Sequence, residues 1–259
     1  MALAPAAARL VVPAPAKVNR FLHVTGRRDD GEVVRARDLP GVAADDDLAL
    51  RAARRLKEAT GCPRGVAIAI DKAIPLGAGL GGGSSDAASV LLALNRLWSL
   101  RLTRGVLIEI ASGLGADVPF FVFGETALAR GIGERLTAMT APRAFLALAF
   151  PDAHVATAEI FAAPELTRST PSAKIDVFSE GYGRNDLSGP ACARHPAVAE
   201  ALAALARSSA QARMTGSGAC VYAPFAREHE ARAAADALPA GLHVRVVRTL
   251  SRHPLAAFA

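Results

Sequence analysis

The sequence predicts an α+β protein of two domains. Short apolar runs rich in β-branched residues are interleaved with stretches of helical periodicity. The character of the chain changes at Ala141-Pro142-Arg143, and a β-α-β-α-β order follows, as expected for helices packed on one face of a sheet. Of the 259 residues, 51% are hydrophobic and 21% charged, a balance that can bury a core and excludes a disordered chain. We place the boundary near residue 142, giving an N-terminal domain over 1–142 and a C-terminal domain over 143–259.

Taken in order, Arg9 to Val12 reads as a short strand stopped by Pro13 and Pro15, and Val18 to Val24 as a second strand. Gly26 to Gly31 reads as a turn. Asp45, Asp46 and Asp47 precede a helix over Leu48 to Ala59, where acidic residues suit the N-terminus. Val66 to Ile70 is a strand, Ser85 to Leu97 a strongly apolar helix and Val106 to Ser112 a further helix. Phe120 to Phe123 and Thr126 to Ala129 look like strands. In the second domain Phe145 to Phe150 is a buried strand, and His195 to Arg207 a helix with Pro196 in its first turn. Cys220 to Ala223, Glu228 to Leu238 and Leu242 to Thr249 then read as strand, helix and strand.

The net charge is +6, supplied almost wholly by Arg, with Lys only at positions 17, 57, 72 and 174. Positive charge suits an anionic partner. The basic residues are scattered and aromatics are few, so a phosphorylated metabolite fits better than nucleic acid, which asks for a patterned basic face. Cys62, Cys192 and Cys220 are far apart and form no CxxC pair, which indicates neither zinc nor a disulfide framework and favours a reducing compartment. Met1 to Pro15 lacks the charged start and apolar block of a signal peptide, and no apolar stretch is long enough to span a bilayer. The expectation is a soluble, cytoplasmic protein, monomeric or weakly dimeric, with a small-molecule substrate and neither nucleic acid nor membrane as partner.

The most informative segment is Pro75-Leu76-Gly77-Ala78-Gly79-Leu80-Gly81-Gly82-Gly83-Ser84-Ser85-Asp86, set between a strand and a helix. Five glycines in seven positions permit positive φ, so that successive N–H groups can converge on an anion, with the helix N-terminus behind them. Ser84 and Ser85 can cap that helix or turn a hydroxyl toward phosphate or Mg²⁺. No Gly-Lys-Ser/Thr follows, so this is not a Walker A loop. GxGxxG can be read at Gly77, Gly79 and Gly82, but the acidic residue of a dinucleotide fingerprint is missing.

This run resembles the central motif of the GHMP kinases. Ala14-Pro15-Ala16-Lys17-Val18-Asn19 resembles their N-terminal motif, and Met214-Thr215-Gly216-Ser217-Gly218-Ala219-Cys220 their C-terminal glycine motif. Gly115 to Phe121, Ile160 to Arg168 and Arg184-Asn185-Asp186-Leu187 are similar to the branch whose acceptor is a cytidine-diphosphate methylerythritol. The resemblance implies an N-terminal domain like domain 2 of ribosomal protein S5, a ferredoxin-like C-terminal domain and an active site in the cleft between them. It also implies an ATP- and Mg²⁺-dependent transfer to the acceptor's 2-hydroxyl in non-mevalonate isoprenoid synthesis. A GHMP kinase for another small alcohol, or a nucleotide-binding protein without catalysis, are the alternatives.

The same resemblance implies roles. Pro75 through Ser85 would hold the ATP phosphates. Asp117 would be the general base, and Lys17 would keep it ionised and stabilise the developing alkoxide. Asn19, Thr157 and Phe161 would bind substrate, with Phe161 against the cytidine base; the alternative for Phe161, beside apolar neighbours, is ordinary core packing. Gly216 and Gly218 would let the third motif approach the phosphates. His23, His154 and His195 show no metal spacing and read as structural or surface residues.

Some features depart from the family. After Gly31 the family continues Tyr-His-Glu-Leu, whose Tyr-His pair helps bind cytidine, and one or two further strands; here Glu32-Val33-Val34-Arg35 follows at once. Either the sequence as read omits a segment that the molecule has, or the segment is deleted. The first is the expectation, since deleting strands should expose core. Arg130 stands where the family usually has Glu, and Asp47 where an Asn often contacts adenine.

Overall fold

The structure, a computed structural model, describes residues 10–12, 21–28, 32–72, 75, 77–131, 133, 135–168 and 184–259. The chain forms two compact units. One comprises 1–74, 81–139 and 252–259, the other 75–80 and 140–251.

In the first unit, β1 (Leu10–Val12), β2 (Phe21–Arg28), β3 (Val33–Arg35) and β4 (Gly65–Asp71) form a sheet in the order β1-β2-β4-β3. β2 continues through Gly26 to Arg28, where a turn was expected. It carries a bulge between Val24 and Gly26, which absorbs one extra residue and lets the pairing with β4 resume. Glu32 to Arg35 enter the sheet directly. Val66 N–H bonds Glu32 O, and β3 runs parallel to β4 on its other side. Val33 packs on the core.

α1 (Leu48–Thr60) is capped by Asp47, whose Oδ1 accepts from Ala49 N–H at 2.9 Å while Oδ2 takes the Arg35 guanidinium at 2.9 Å. Residue 47 is thus a helix cap with its charge paired. α2 (Gly82–Leu97) runs through the middle of the unit with Ser85 to Asn95 buried, and α1 packs along it. α3 (Arg104–Ser112) and α4 (Val118–Phe123) cover its far side. α4 corrects an expectation: Phe120 to Phe123 form a helix and not a strand. Pro119 sits in its first turn, where its missing N–H costs nothing, and Gly124 ends it at φ +77°. β5 (Ala127–Arg130) and β6 (Arg135–Ala138) pair as a separate hairpin.

Residues 252–259 complete this unit. Leu255 enters its core, and Arg104 donates to Val122 O, Phe123 O, Ala256 O and Ala259 O. His253 is buried beside this guanidinium. Its Nδ1 accepts from Leu255 N–H, and Nε2 has no hydrogen-bond partner among the described residues. Burial, with the Arg104 charge adding to it, pushes the imidazole down to about 4.

In the second unit, β7 (Phe145–Phe150), α5 (Thr157–Ala162), α6 (Ser188–Arg194), α7 (Pro196–Ala206), β8 (Arg213–Met214), β9 (Val221–Phe225), α8 (Glu228–Asp236) and β10 (His243–Arg248) follow one another. The sheet order β10-β7-β9-β8, antiparallel throughout, is ferredoxin-like. β8 is the strand that the β-α-β-α-β reading lacked. It has only two residues, too few to show alternation. Ala147, Ala149, Val221 and Ala223 point toward α7 and α8, and small side chains there let the helices lie close.

Candidate functional site: a glycine-rich anion cradle

The glycine run takes a regular form. Gly77, Gly79 and Gly81 lie at φ +72°, +68° and +62°, while Ala78 and Leu80 between them are buried. Left-handed residues alternating with right-sided ones turn successive N–H groups to one side, the backbone nest that receives anions. Only glycine takes this hand without a Cβ penalty. The apolar side chains at the alternate positions fix the ribbon.

The run passes directly into α2. Gly81 is the N-cap, without a side-chain cap, and Ser85 N–H makes the first intrahelical bond, to Gly81 O at 2.9 Å. The helix starts at Gly82, three residues earlier than expected. Gly82, Gly83 and Ser84 therefore lie in its first turn, where a helix offers its N–H groups no acceptor of its own and carries positive partial charge. This corrects the capping role expected of Ser84 and Ser85: both are inside the helix, Ser84 half-buried and Ser85 fully buried. Asp86, also buried, is ion-paired with Lys72 at the end of β4.

Within the second unit, the loop from Gly77 to Leu80 rests on the third glycine motif. A Cβ on Gly79 would lie 2.5 Å from Thr215 O and 2.6 Å from Gly218 O; one on Gly216 would lie 2.7 Å from Gly79 O. The Thr215 hydroxyl donates to Gly79 O at 3.4 Å. Gly216 and Gly218 are themselves at φ +56° and +101°. Thr157, at the start of α5, shares a 2.8 Å hydrogen bond with the buried Ser217 hydroxyl. The His154 imidazole lies 3.3 Å from where a Cβ of Gly77 would be, so this exposed histidine is packed on the loop.

Phe161 is 56% exposed, which removes the core-packing reading for it; Ile160 beside it is the buried residue of α5. Its carbonyl accepts from Arg168 at 2.8 Å, so the exposed ring stands on a held backbone. In the first unit, Asp117 precedes α4, where an apolar strand was expected. Its side chain makes no cap hydrogen bond to that helix and is exposed. Pro75 is exposed. Lys17, Asn19 and Leu76 lie outside the described residues.

Sequence reasoning gave no individual role to Thr215 or Asn185 and read His154 only as a structural or surface residue; the structure brings all three to the loop and its support. Thr215 and Asn185 each lay inside a quoted motif, which was the signal that could have found them. Among the described residues no cluster of three His, Cys, Asp or Glu side chains could hold a metal ion, and no helix is long and apolar enough to cross a membrane.

Comparison with known proteins agrees with this architecture. The family model for the GHMP kinases N terminal domain matches residues 47–125, and that for the GHMP kinases C terminal matches 187–244. The 4-diphosphocytidyl-2-C-methyl-D-erythritol kinase of Ralstonia nicotianae is 48% identical over 95% of this chain and 96% of its own length. That of Thiobacillus denitrificans is 50% identical over 94% and 96%. The first alignment runs over 277 positions against 259 residues here, so at least 18 positions face no residue of this chain. A solved 4-(cytidine 5'-diphospho)-2C-methyl-D-erythritol kinase superposes with a TM-score of 0.73 at 32% identity, covering 88% of each chain. A homoserine kinase from Cytophaga hutchinsonii, at a TM-score of 0.65, 16% identity and coverage of 91% of this chain and 88% of its own, shares the fold. On these grounds the chain belongs to the 4-diphosphocytidyl-2-C-methyl-D-erythritol kinase family of the GHMP kinases.

Proposed function

We propose that this chain transfers the γ-phosphoryl group of ATP to the 2-hydroxyl of 4-diphosphocytidyl-2-C-methyl-D-erythritol. The observation that carries the reading is the alternating left-handed ribbon from Gly77 to Gly81 running into the N-terminus of α2, on a chain whose relatives bear that activity in their names. Phosphoryl transfer asks a protein for positioning and charge stabilisation more than for covalent chemistry. The N–H groups of Gly77 to Ser84 bind the phosphates, with Pro75 and Leu76 setting the entry of the loop and Ser85, its N–H held by Gly81 O, anchoring the first helical turn behind them. Asp117 takes the proton of the acceptor hydroxyl, a role its exposed carboxylate suits. Lys17 holds that carboxylate ionised and stabilises the alkoxide. Asn19 and Thr157 hydrogen-bond the acceptor, and the Phe161 ring stacks on its cytosine.

Mg²⁺ would arrive with the nucleotide, and the Ser84 hydroxyl in the first turn of α2 is the side-chain oxygen that would hold it, the Asp86 carboxylate being paired with Lys72. The ion would supply neutralisation of phosphate charge. The same reading assigns 1–142 as the ATP-binding domain and 143–259 as the second domain, in a cytoplasmic protein acting as a monomer or weak dimer. A second reading, nucleotide binding without catalysis, is favoured by the positions that this chain lacks against its relatives. ADP release measured with the cytidylated methylerythritol separates the two. Acceptor-dependent release supports the kinase; ATP binding with no such release refutes it.

A further inference from the structure

The geometry points to Asn185 as a positioning residue for the nucleotide, an inference that rests on the reading of the glycine run as the ATP cradle. Asn185 stands just before α6 with its amide fully committed. Oδ1 accepts from Leu187 N–H at 3.0 Å, while Nδ2 donates to Met214 O at 3.0 Å and to Gly216 O at 2.7 Å. Its own carbonyl accepts from Ser188 N–H at 3.0 Å, which ties the residue to the start of α6. One side chain thus fastens a helix start to two carbonyls of the third glycine motif.

Those carbonyls bracket Thr215, and the turn they belong to is the one on which Gly79 rests. Thr215 O and Gly218 O would lie within 2.6 Å of a Cβ on Gly79, and Gly79 O within 2.7 Å of one on Gly216. With contacts so close, a shift of the turn moves the loop, because backbone cannot give way as the end of a side chain can. The turn's own bonds, Gly218 N–H to Thr215 O and Thr215 N–H to Cys220 O, set its shape. Asn185 sets its place. The chemistry needs an amide: two donors and one acceptor on a short, stiff stem. Aspartate has no donor and would face two carbonyl oxygens.

The test compares Asn185→Ala, Asn185→Asp and Thr249→Val with the wild type. Thr249 bonds Ala144 through its hydroxyl in the same unit and serves as a purely structural control. The measurements are the Kd for ATP, KM for ATP and for the acceptor, kcat, Tm, and amide exchange at Thr215 and Gly218. Losing two hydrogen bonds to the turn is expected to raise Kd and KM for ATP about tenfold in Asn185→Ala. Asn185→Asp should cost more, and exchange at Thr215 and Gly218 should quicken in both. KM for the acceptor should stay near wild type, and Thr249→Val should lower Tm without moving KM for ATP. Asn185 variants that lose Tm like the control but bind ATP as the wild type does overturn the role of Asn185. If Asn185→Ala does not fold, Asn185→Asp decides by the same comparison. A wild type that binds no ATP overturns instead the reading of the run as an ATP cradle.

Discussion

Replacing Gly79 by alanine tests the cradle most sharply. The new Cβ would meet two backbone oxygens, at 2.5 and 2.6 Å, where contacts under 3.0 Å are essentially never seen. It would also be held at φ +68°, which costs an L-residue about 1–2 kcal/mol. Overpacking against an unyielding neighbour costs about 1–3 kcal/mol more. The loop must therefore leave its seat on the third motif. If most of that cost falls on nucleotide binding, kcat/KM for ATP drops on the order of 10²-fold or more. Gly77→Ala is the matched comparison. Its φ is similar at +72°, but its Cβ would meet only the His154 side chain, at 3.3 Å, which can swing away. That variant should pay the φ cost alone, about 5–30-fold. The assay is ADP release over an ATP titration at saturating acceptor, with Tm recorded for each variant. Equal losses in the two variants, or a milder one at Gly79, would refute the claim that the packed backbone positions the loop.

Other outcomes follow from the same geometry. Asp117→Asn should lose turnover by about 10²–10⁴-fold, the scale of a general base, while ATP still binds; near-normal single-turnover rates would remove Asp117 from the chemistry. Phe161→Ala should raise KM for the cytidylated acceptor about 3–10-fold, the worth of one aromatic stacking contact, and leave Tm unchanged because the ring is exposed. An unmoved KM would place the base elsewhere. His253 is neutral when folded, and its value of about 4 lies below the ordinary 6.5, so the unfolded chain takes up the proton first. The associated stability is fully present above pH 6.5 and is lost as pH falls toward 4, about 3 kcal/mol in all. Urea unfolding at a series of pH values should show this slope in the wild type and a flatter one in His253→Gln. Identical slopes would show that other groups carry the acid sensitivity.

The cradle was legible in the sequence because its demand falls on residue type: positive φ at alternate positions leaves glycine as the residue without strain. α1, β4 and β7 were legible from periodicity over enough residues. α4 was misread because Phe120 to Phe123 have β propensity, while the decisive signs, Pro119 and Gly124, are punctuation outside that run. The helix start at Gly82 was missed because glycines there read as loop, whereas their use is to open a helix with no side chain in the way. The seating of Gly79 on Thr215 joins residues 136 positions apart, so no local pattern reports it. Asn185 escaped for the same reason: its value lies in which carbonyls it meets. The strand β3 is the contrary case. Val33 to Arg35, read only as the point where the chain departs from the family's sequence, form a sheet edge with a core-packed valine and an ion-paired arginine.

The way residues 252–259 finish the first unit bears on how the protein is made. Leu255 fills that unit's core, the Phe258 carbonyl accepts from Asn95, and the Phe258 ring lies under the Arg96 guanidinium at 4.8 Å. These residues leave the ribosome only after all of 140–251 has been translated. Although 1–139 are made first, their unit is closed only by residues made after 140–251.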